Sequence, residues 1–233
     1  MNIIITGASR GLGKAIAEKF AGQGDDLYLC SRNEEALLKT MEELKMKYPG
    51  VKIEGRAFDL AKKEQARQLG KWILDAGIFM DVLVNNAGQF IPGNVSDEQD
   101  GVLEKMIGVN LYSAYHLTRA LLPGMMEQRK GHIFNICSIA SLQAYPNGGS
   151  YGISKFALAG FSKNLREEMK PYGIKVTALY PGAAYTDSWA SSGVDPHRIM
   201  EAEDIAAMVY AATQLSPQAT VEDILLRPQL GDL

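Results

Sequence analysis

Short apolar runs recur along the chain, separated by longer stretches in which apolar and polar positions alternate with a helical period. The runs NIIIT (2–6), DLYLCS (26–31), VKIEGRAFD (51–59), DVLVN (81–85), HIFNICS (132–138), IKVTALY (174–180) and EDILLR (222–227) have the length and the aliphatic content of buried strands. Between them lie segments of helix length. In the first, residues 11–22, Leu12, Ile16 and Phe20 share one stripe, and Gly22 and Gly24 stand where a helix stops. Strands this apolar are buried on both faces, and strands joined by helices meet that demand in a parallel sheet covered on each side. The pattern therefore predicts an α/β protein: a doubly wound parallel sheet of about seven strands in a three-layer α/β/α arrangement, with ligands at the carboxyl ends of the strands. The longest irregular stretch, 182–200, is polar and carries Pro196; it is read as a substrate loop able to move.

Composition narrows the picture. With 233 residues, 46% hydrophobic and 22% charged, the chain can bury one full core and demands no second, so 1–233 is read as a single domain. The net charge is -3 and the cations are scattered among acids, which argues against nucleic-acid and anionic-membrane partners. No apolar window approaches membrane-spanning length and no cationic, apolar leader opens the chain, so a cytoplasmic location is expected. Cys30 and Cys137 lie in apolar runs and read as reduced core residues. His116, His132 and His197 show no ligand spacing, and Glu167-Glu168 fits a solvated helix face, so no metal is assigned.

Two stretches carry candidate chemistry. The first strand runs into TGASRGLGKAIA, with Gly7, Gly11 and Gly13 opening the first helix around Ser9, Arg10 and Leu12. Gly7 permits a tight turn, Gly11 lets backbone amides approach a pyrophosphate, and Gly13 allows close helix-on-strand packing, the pattern of a Rossmann dinucleotide site. An acidic residue at the end of the second strand would select NAD. Ser31-Arg32 stands there instead, and Arg32 with Arg10 suits the 2′-phosphate of NADP(H), leaving NAD(H) use open. In SYGISK, Tyr151 and Lys155 are four apart, so a helix puts their Cβ atoms about 5–6 Å from each other. A phenol ionises near pH 10, and an adjacent ammonium lowers that toward the range useful for proton transfer. Alone, the pair favours an ordinary half-exposed helix face.

Taken together, Thr6-Gly7-x-x-x-Gly11-x-Gly13, Asp59, Asn85-Asn86-Ala87-Gly88, Asn110, Ser138, Tyr151-x-x-x-Lys155 and Pro181-Gly182 leading to Thr186 resemble the compact, single-domain branch of the short-chain dehydrogenase/reductase family. The resemblance implies a catalytic tetrad of Asn110, Ser138, Tyr151 and Lys155. Tyr151 would exchange a proton with a ketone, aldehyde or 3-oxoacyl group, Ser138 would hold the same oxygen, Lys155 would bind the nicotinamide ribose, and Asn110 would order water leading to solvent. It further implies that Asp59 contacts the adenine and that Asn86, Ala87 and Gly88 support the cofactor cleft. Pro181, Gly182 and Ala184 would lead to Thr186, which would hold the carboxamide. Leu12 and Ala184 depart from the family's usual isoleucine and larger β-branched residue. Gln89, Phe90, Leu142, Tyr145, Tyr185, Trp189, His197 and Arg198 are expected at the substrate pocket, and 106–126 and 151–168 at the interfaces of a homodimer or homotetramer. The competing reading is a catalytically silent NADP(H) sensor, which would have no use for Tyr151 or Lys155; both are present.

Overall fold

A computed structural model describes residues 1–186 and 193–233. Its main sheet is formed by β1 (Asn2–Thr6), β2 (Asp26–Ser31), β3 (Ile53–Ala57), β4 (Val82–Asn85), β5 (Gly131–Ile136), β6 (Ile174–Pro181) and, near the carboxyl end, β9 (Asp223–Leu226). The connecting helices are α1 (Gly11–Ala21), α2 (Glu34–Lys47), α3 (Lys63–Asp75), α4 (Val102–Ile107), α5 (Ser113–Gln128), α6 (Gly149–Met169) and α7 (Ala202–Thr213). All strand pairs in the sheet are parallel, in the order β3-β2-β1-β4-β5-β6-β9. The seven-stranded, helix-covered α/β fold expected from the apolar runs is what forms.

The central strands are sandwiched, the edge strands β3 and β9 are partly exposed, and the alternation of side chains divides the core. Ile3, Ile5, Leu27, Leu29, Val82 and Val84 face one way, onto α1, α2 and α7; Ile4, Tyr28, Leu83, Ile133 and Val176 face the other, onto α3, α5 and α6. Both faces being apolar explains why the strands read as continuous hydrophobic runs. Chain direction across the sheet reverses at β1, which pairs with β2 on one side and β4 on the other. At such a switch point the two connections leave in opposite directions and open a crevice beyond the carboxyl ends.

Some boundaries differ from expectation. The third run, expected over 51–59, is a strand only over 53–57. Phe58 N–H still reaches Ser31 O at 3.0 Å, but Asp59 N–H is taken by the Gln65 side chain at 2.6 Å, and the chain turns away. The stretch 182–200 is not wholly irregular: β7 (Ala184–Tyr185) and β8 (Met200–Glu201) pair in parallel, and a 3-10 turn spans Pro196–Arg198. Between α4 and α5 the helix continues through a π-helical segment, Gly108–Tyr112, which widens the backbone around Asn110. No described helix is long and apolar enough to cross a membrane.

Candidate active site

The crevice is built first by the glycine turn. Gly7 and Gly11 hold φ of 65° and 54°, left-handed values that side-chain-bearing residues rarely adopt. A Cβ on Gly13 would lie 2.3 Å from Gly7 O and 2.5 Å from Asn86 Nδ2, so α1 can approach β1 and β4 this closely only with glycine there. The turn is stitched to β4: Asn86 Nδ2 donates to Thr6 O at 2.9 Å and Gly7 O at 3.2 Å, while Thr6 Oγ1 accepts from Asn86 N–H and Ala87 N–H, both at 2.9 Å. It is stitched to β2 by the Ser9 and Ser31 hydroxyls, 2.8 Å apart, and to α2 by Thr40 Oγ1, which donates to Ser9 O. Helix α1 has no side-chain cap and no acid in its first turn, leaving its amino-terminal N–H groups and positive dipole end available to an anion. Arg10 and Arg32 are exposed at the rim, and among the described residues neither has an acidic ion-pair partner. This cradle fits the pyrophosphate of a dinucleotide. Leu12 packs in the first turn against the core. Asp59, beyond β3, accepts from Ala61 N–H at 3.2 Å.

The second half of the site lies where β5 meets α6. Ser138 follows β5 and caps a short 3-10 turn, its Oγ accepting from Ala140 N–H while its own N–H donates to Ser141 Oγ. Tyr151 and Lys155 lie on successive turns of α6, with Nζ 5.8 Å from the phenol ring centre. Ser138 lies beside the Tyr151 phenol, close enough to favour its ionised form. Lys155 is 5% exposed and donates to Ile136 O at 2.8 Å; burial pulls its ammonium down to about 8. The Tyr151 phenol, by contrast, is pushed up by burial, against which the neighbouring Ser138 acts in the lowering direction. Without cofactor, desolvation leads among the influences on the phenol, and the lysine is anchored to the Ile136 carbonyl.

Asn110, in the π-helical segment, is 1% exposed and fully engaged as a donor, giving one N–H to Gln89 O at 3.0 Å and the other to Ser154 Oγ at 2.8 Å. Its Oδ1 accepts from Gln89 N–H at 2.7 Å. A Cβ on Gly88 would fall 3.3 Å from that Oδ1 and 3.6 Å from Lys155 Nζ, so the two polar atoms converge on one spot beside Gly88. Pro181 ends β6, Gly182 N–H donates to Leu226 O, and Ala184 is buried in β7. The Thr186 side chain lies 3.4 Å from where a Gly11 Cβ would be, so the 181–186 segment arches over the glycine turn.

Of the expected pocket residues, Phe90 sets its ring edge-on to Tyr151 at 4.9 Å, and Tyr145 lies near enough to Tyr151 for that phenol to disfavour its ionisation. Burial first, then Tyr151, raises Tyr145 to about 12. Leu142 and Tyr185 are partly exposed; Trp189 lies outside the described residues. Arg198 serves elsewhere: its guanidinium donates to the carbonyls of Leu230, Gly231 and Asp232. Two contributors were not foreseen, Ser154 and Glu98. Ser154 is signalled only as a serine on the buried helix face, and Glu98 has no local signal, since it acts on Ser150, 52 residues on.

The comparisons with known proteins agree with this geometry. The family model described as short chain dehydrogenase matches residues 1–196. An uncharacterized oxidoreductase of Staphylococcus epidermidis is 31% identical over 226 residues, covering 97% of this chain and 96% of the relative. The structure of an alcohol dehydrogenase from the archaeon Thermococcus sibiricus, complexed with 5-hydroxy-NADP, superposes with a TM-score of 0.89 at 28% identity, covering 98% of this chain and 96% of that one. A 3-oxoacyl-[acyl-carrier protein] reductase from Brucella melitensis with bound NAD gives 0.85 at 29% identity, covering 97% and 88%. With the switch-point crevice, the glycine turn and the Ser138, Tyr151 and Lys155 cluster all in place along that matched length, the chain belongs to the short-chain dehydrogenase family of oxidoreductases.

Proposed function

We propose that the chain, acting as one domain over 1–233, reduces a carbonyl group, or oxidises the matching alcohol, with NADP(H) preferred and NAD(H) accepted. The observation that carries this is the Tyr151 phenol, beside Ser138 and one helical turn from a buried lysine, at the same sheet edge as an anion cradle. When bound, the nicotinamide cofactor supplies or takes up the hydride. In reduction, the Tyr151 hydroxyl donates its proton to the carbonyl oxygen as the carbon gains the hydride, and Ser138 hydrogen-bonds that oxygen as negative charge grows on it. A phenol kept protonated by burial is the correct form for this donation. Lys155 holds the ribose and, with Asn110 beside Gly88, passes a proton back to the phenolate. Arg10 and Arg32, without carboxylate partners among the described residues, are placed to take a 2′-phosphate. The NADP-type ligand of the Thermococcus neighbour supports that preference, and the NAD of the Brucella protein supports the tolerance.

The apolar wall of Phe90, Leu142 and Tyr145 favours a ketone, aldehyde or 3-oxoacyl substrate. Tyr112, Ile153 and Phe156, exposed on or beside α5 and α6, support pairing into a homodimer or homotetramer. A cytoplasmic location remains part of the reading. The test is consumption of NADPH and NADH, followed by absorbance, with a panel of carbonyl compounds. Tyr151→Phe should lose about 100- to 10,000-fold in kcat while still binding NADPH. Turnover surviving in that variant would overturn the assignment; a wild type that binds NADPH but reduces nothing would return the protein to the sensor reading.

A further inference from the structure

The catalytic helix α6 begins without a side-chain cap of its own. The first-turn amide of Ser150 is instead held from a distance. Glu98 Oε1 accepts from Ser150 N–H at 3.0 Å and from Ser150 Oγ–H at 2.7 Å, and Ser150 is 3% exposed. Ser150 is the residue before Tyr151. The carboxylate also sits at the positive end of the α6 dipole, where an anion is favoured.

The contact belongs to a seam. Gly93 bridges to Gly148 and donates to Asn147 O at 3.1 Å; Asn147 N–H donates to Asn94 Oδ1; and Asn94 caps the turn that carries Asp97 and Glu98. A Cβ on Gly149 would lie 2.5 Å from Gly93 O and 2.8 Å from Glu98 Oε1, so the 93–98 segment and α6 meet at a distance only glycine allows. The same segment starts at Gln89, bonded to Asn110, and at Phe90, edge-on to Tyr151.

We infer that Glu98 is a positioning residue for the reaction: its carboxylate fixes the first turn of α6 and thereby the angle at which the Tyr151 hydroxyl meets Ser138 and the substrate oxygen. The inference rests on the proposed function for its catalytic consequence, but not for its structural one. Proton donation to a bound oxygen is sensitive to small displacements, and a shift of about 1 Å can cost about 100-fold in rate. The dinucleotide cradle, on β1, α1 and β4, does not share the contact.

The experiment compares Glu98→Ala, Glu98→Gln and Ser150→Ala with the wild type in two measurements. The first is hydrogen exchange of the 149–153 amides in the protein without added cofactor. The Ala variant should exchange there at least about tenfold faster with the 11–15 amides unchanged, and the Gln variant, whose amide oxygen still accepts from Ser150 N–H, should stay near wild type. The second is steady-state carbonyl reduction. Glu98→Ala should lose about 10- to 100-fold in kcat with the NADPH dissociation constant changed less than about twofold, Glu98→Gln should recover most of that loss, and Ser150→Ala should fall between them. Unchanged exchange at 149–153 in the Ala variant, an equal loss of NADPH affinity, or a Gln variant no better than Ala overturns the inference. If the Ala variant does not fold, the Gln and Ser150→Ala variants decide by the same criteria. A wild type without turnover, while exchange follows the expected pattern, removes the proposed function and leaves the anchoring role standing.

Discussion

At the scale of single residues the site depends on what small side chains leave out as much as on what reactive ones supply. Gly13 is the sharpest case. A methyl at that position would be driven into Gly7 O and Asn86 Nδ2, and neither can yield, because Asn86 Nδ2 is already bonded to Thr6 O and Gly7 O. Gly13→Ala should therefore cost about 1–3 kcal/mol by overpacking and push α1 off the sheet. NADPH affinity, read by the quenching or enhancement of cofactor fluorescence, should fall at least about tenfold; a variant with unchanged affinity would show that the glycine turn is not the cofactor's cradle. Chemistry of this kind is visible in a sequence because the glycine and the turn it serves are local. The acidity of Tyr151 was not. Spacing puts Lys155 one turn away, yet whether charge or burial governs the phenol depends on how deeply α6 seats and where Nζ is anchored, and here Ile136 O takes it.

At the scale of elements, β5 carries a buried titratable group in the middle of the sheet. His132 pairs with Lys175 in register across β6, stacks on Phe134 at 4.0 Å, and meets Thr177 Oγ1 at 2.7 Å through Nε2. Since the Thr177 hydroxyl donates to Val221 O at 2.6 Å, the imidazole must be the donor in that bond. Burial first, then the Lys175 charge, lowers its pKa from 6.5 to about 3. The folded state thus keeps His132 neutral over a range in which the unfolded chain binds a proton. Above pH 6.5 it makes no difference. As pH falls from 6.5 toward 3, stability is lost by about 1.4 kcal/mol per unit from this residue, roughly 2 kcal/mol by pH 5. Urea denaturation at pH 7.5 and pH 5.0 checks this: His132→Gln, whatever its stability at pH 7.5, should show a pH-dependent loss smaller than wild type by about that amount, and identical losses would refute it. The strand itself was legible as an apolar run. That its one histidine is a neutral hydrogen-bond donor was not, because Thr177 and Val221 arrive from β6 and the connection before β9.

At the scale of the whole molecule, the carboxyl-terminal segment closes the structure by a polar clasp. Arg198 reaches the last turn of the chain and gives N–H groups to three successive carbonyls, and Arg227 pairs with Asp232. The clasp ties the 193–200 segment, next to the β7–β8 pair, to the tail beyond β9. Arg198→Ala leaves those carbonyls to solvent and should lower stability by about 1–3 kcal/mol, or about 2–4 °C in Tm per kcal/mol for a chain of this size. Arg198→Lys should recover only part, since an ammonium lacks the planar fork. Thermal unfolding together with the rate of carboxypeptidase trimming reads both effects; a tail trimmed at the wild-type rate in the Ala variant would sink the clasp.

The amino-acid order by itself determined the seven apolar strand runs, the helices between them, the parallel sheet they demand, and the positions of the glycine turn and of the Tyr151–Lys155 pair. These depend on period, apolar content and short-range spacing, which act within a few residues. Only the tertiary structure decided what lies across the sheet edge: Thr6 stitched to Asn86, Lys155 bound to Ile136 O, Arg198 turned to the tail rather than to a substrate, and Glu98 holding the start of α6. Each of those contacts joins residues far apart in the chain, and no local propensity can encode a partner that only the packing of distant elements brings within reach.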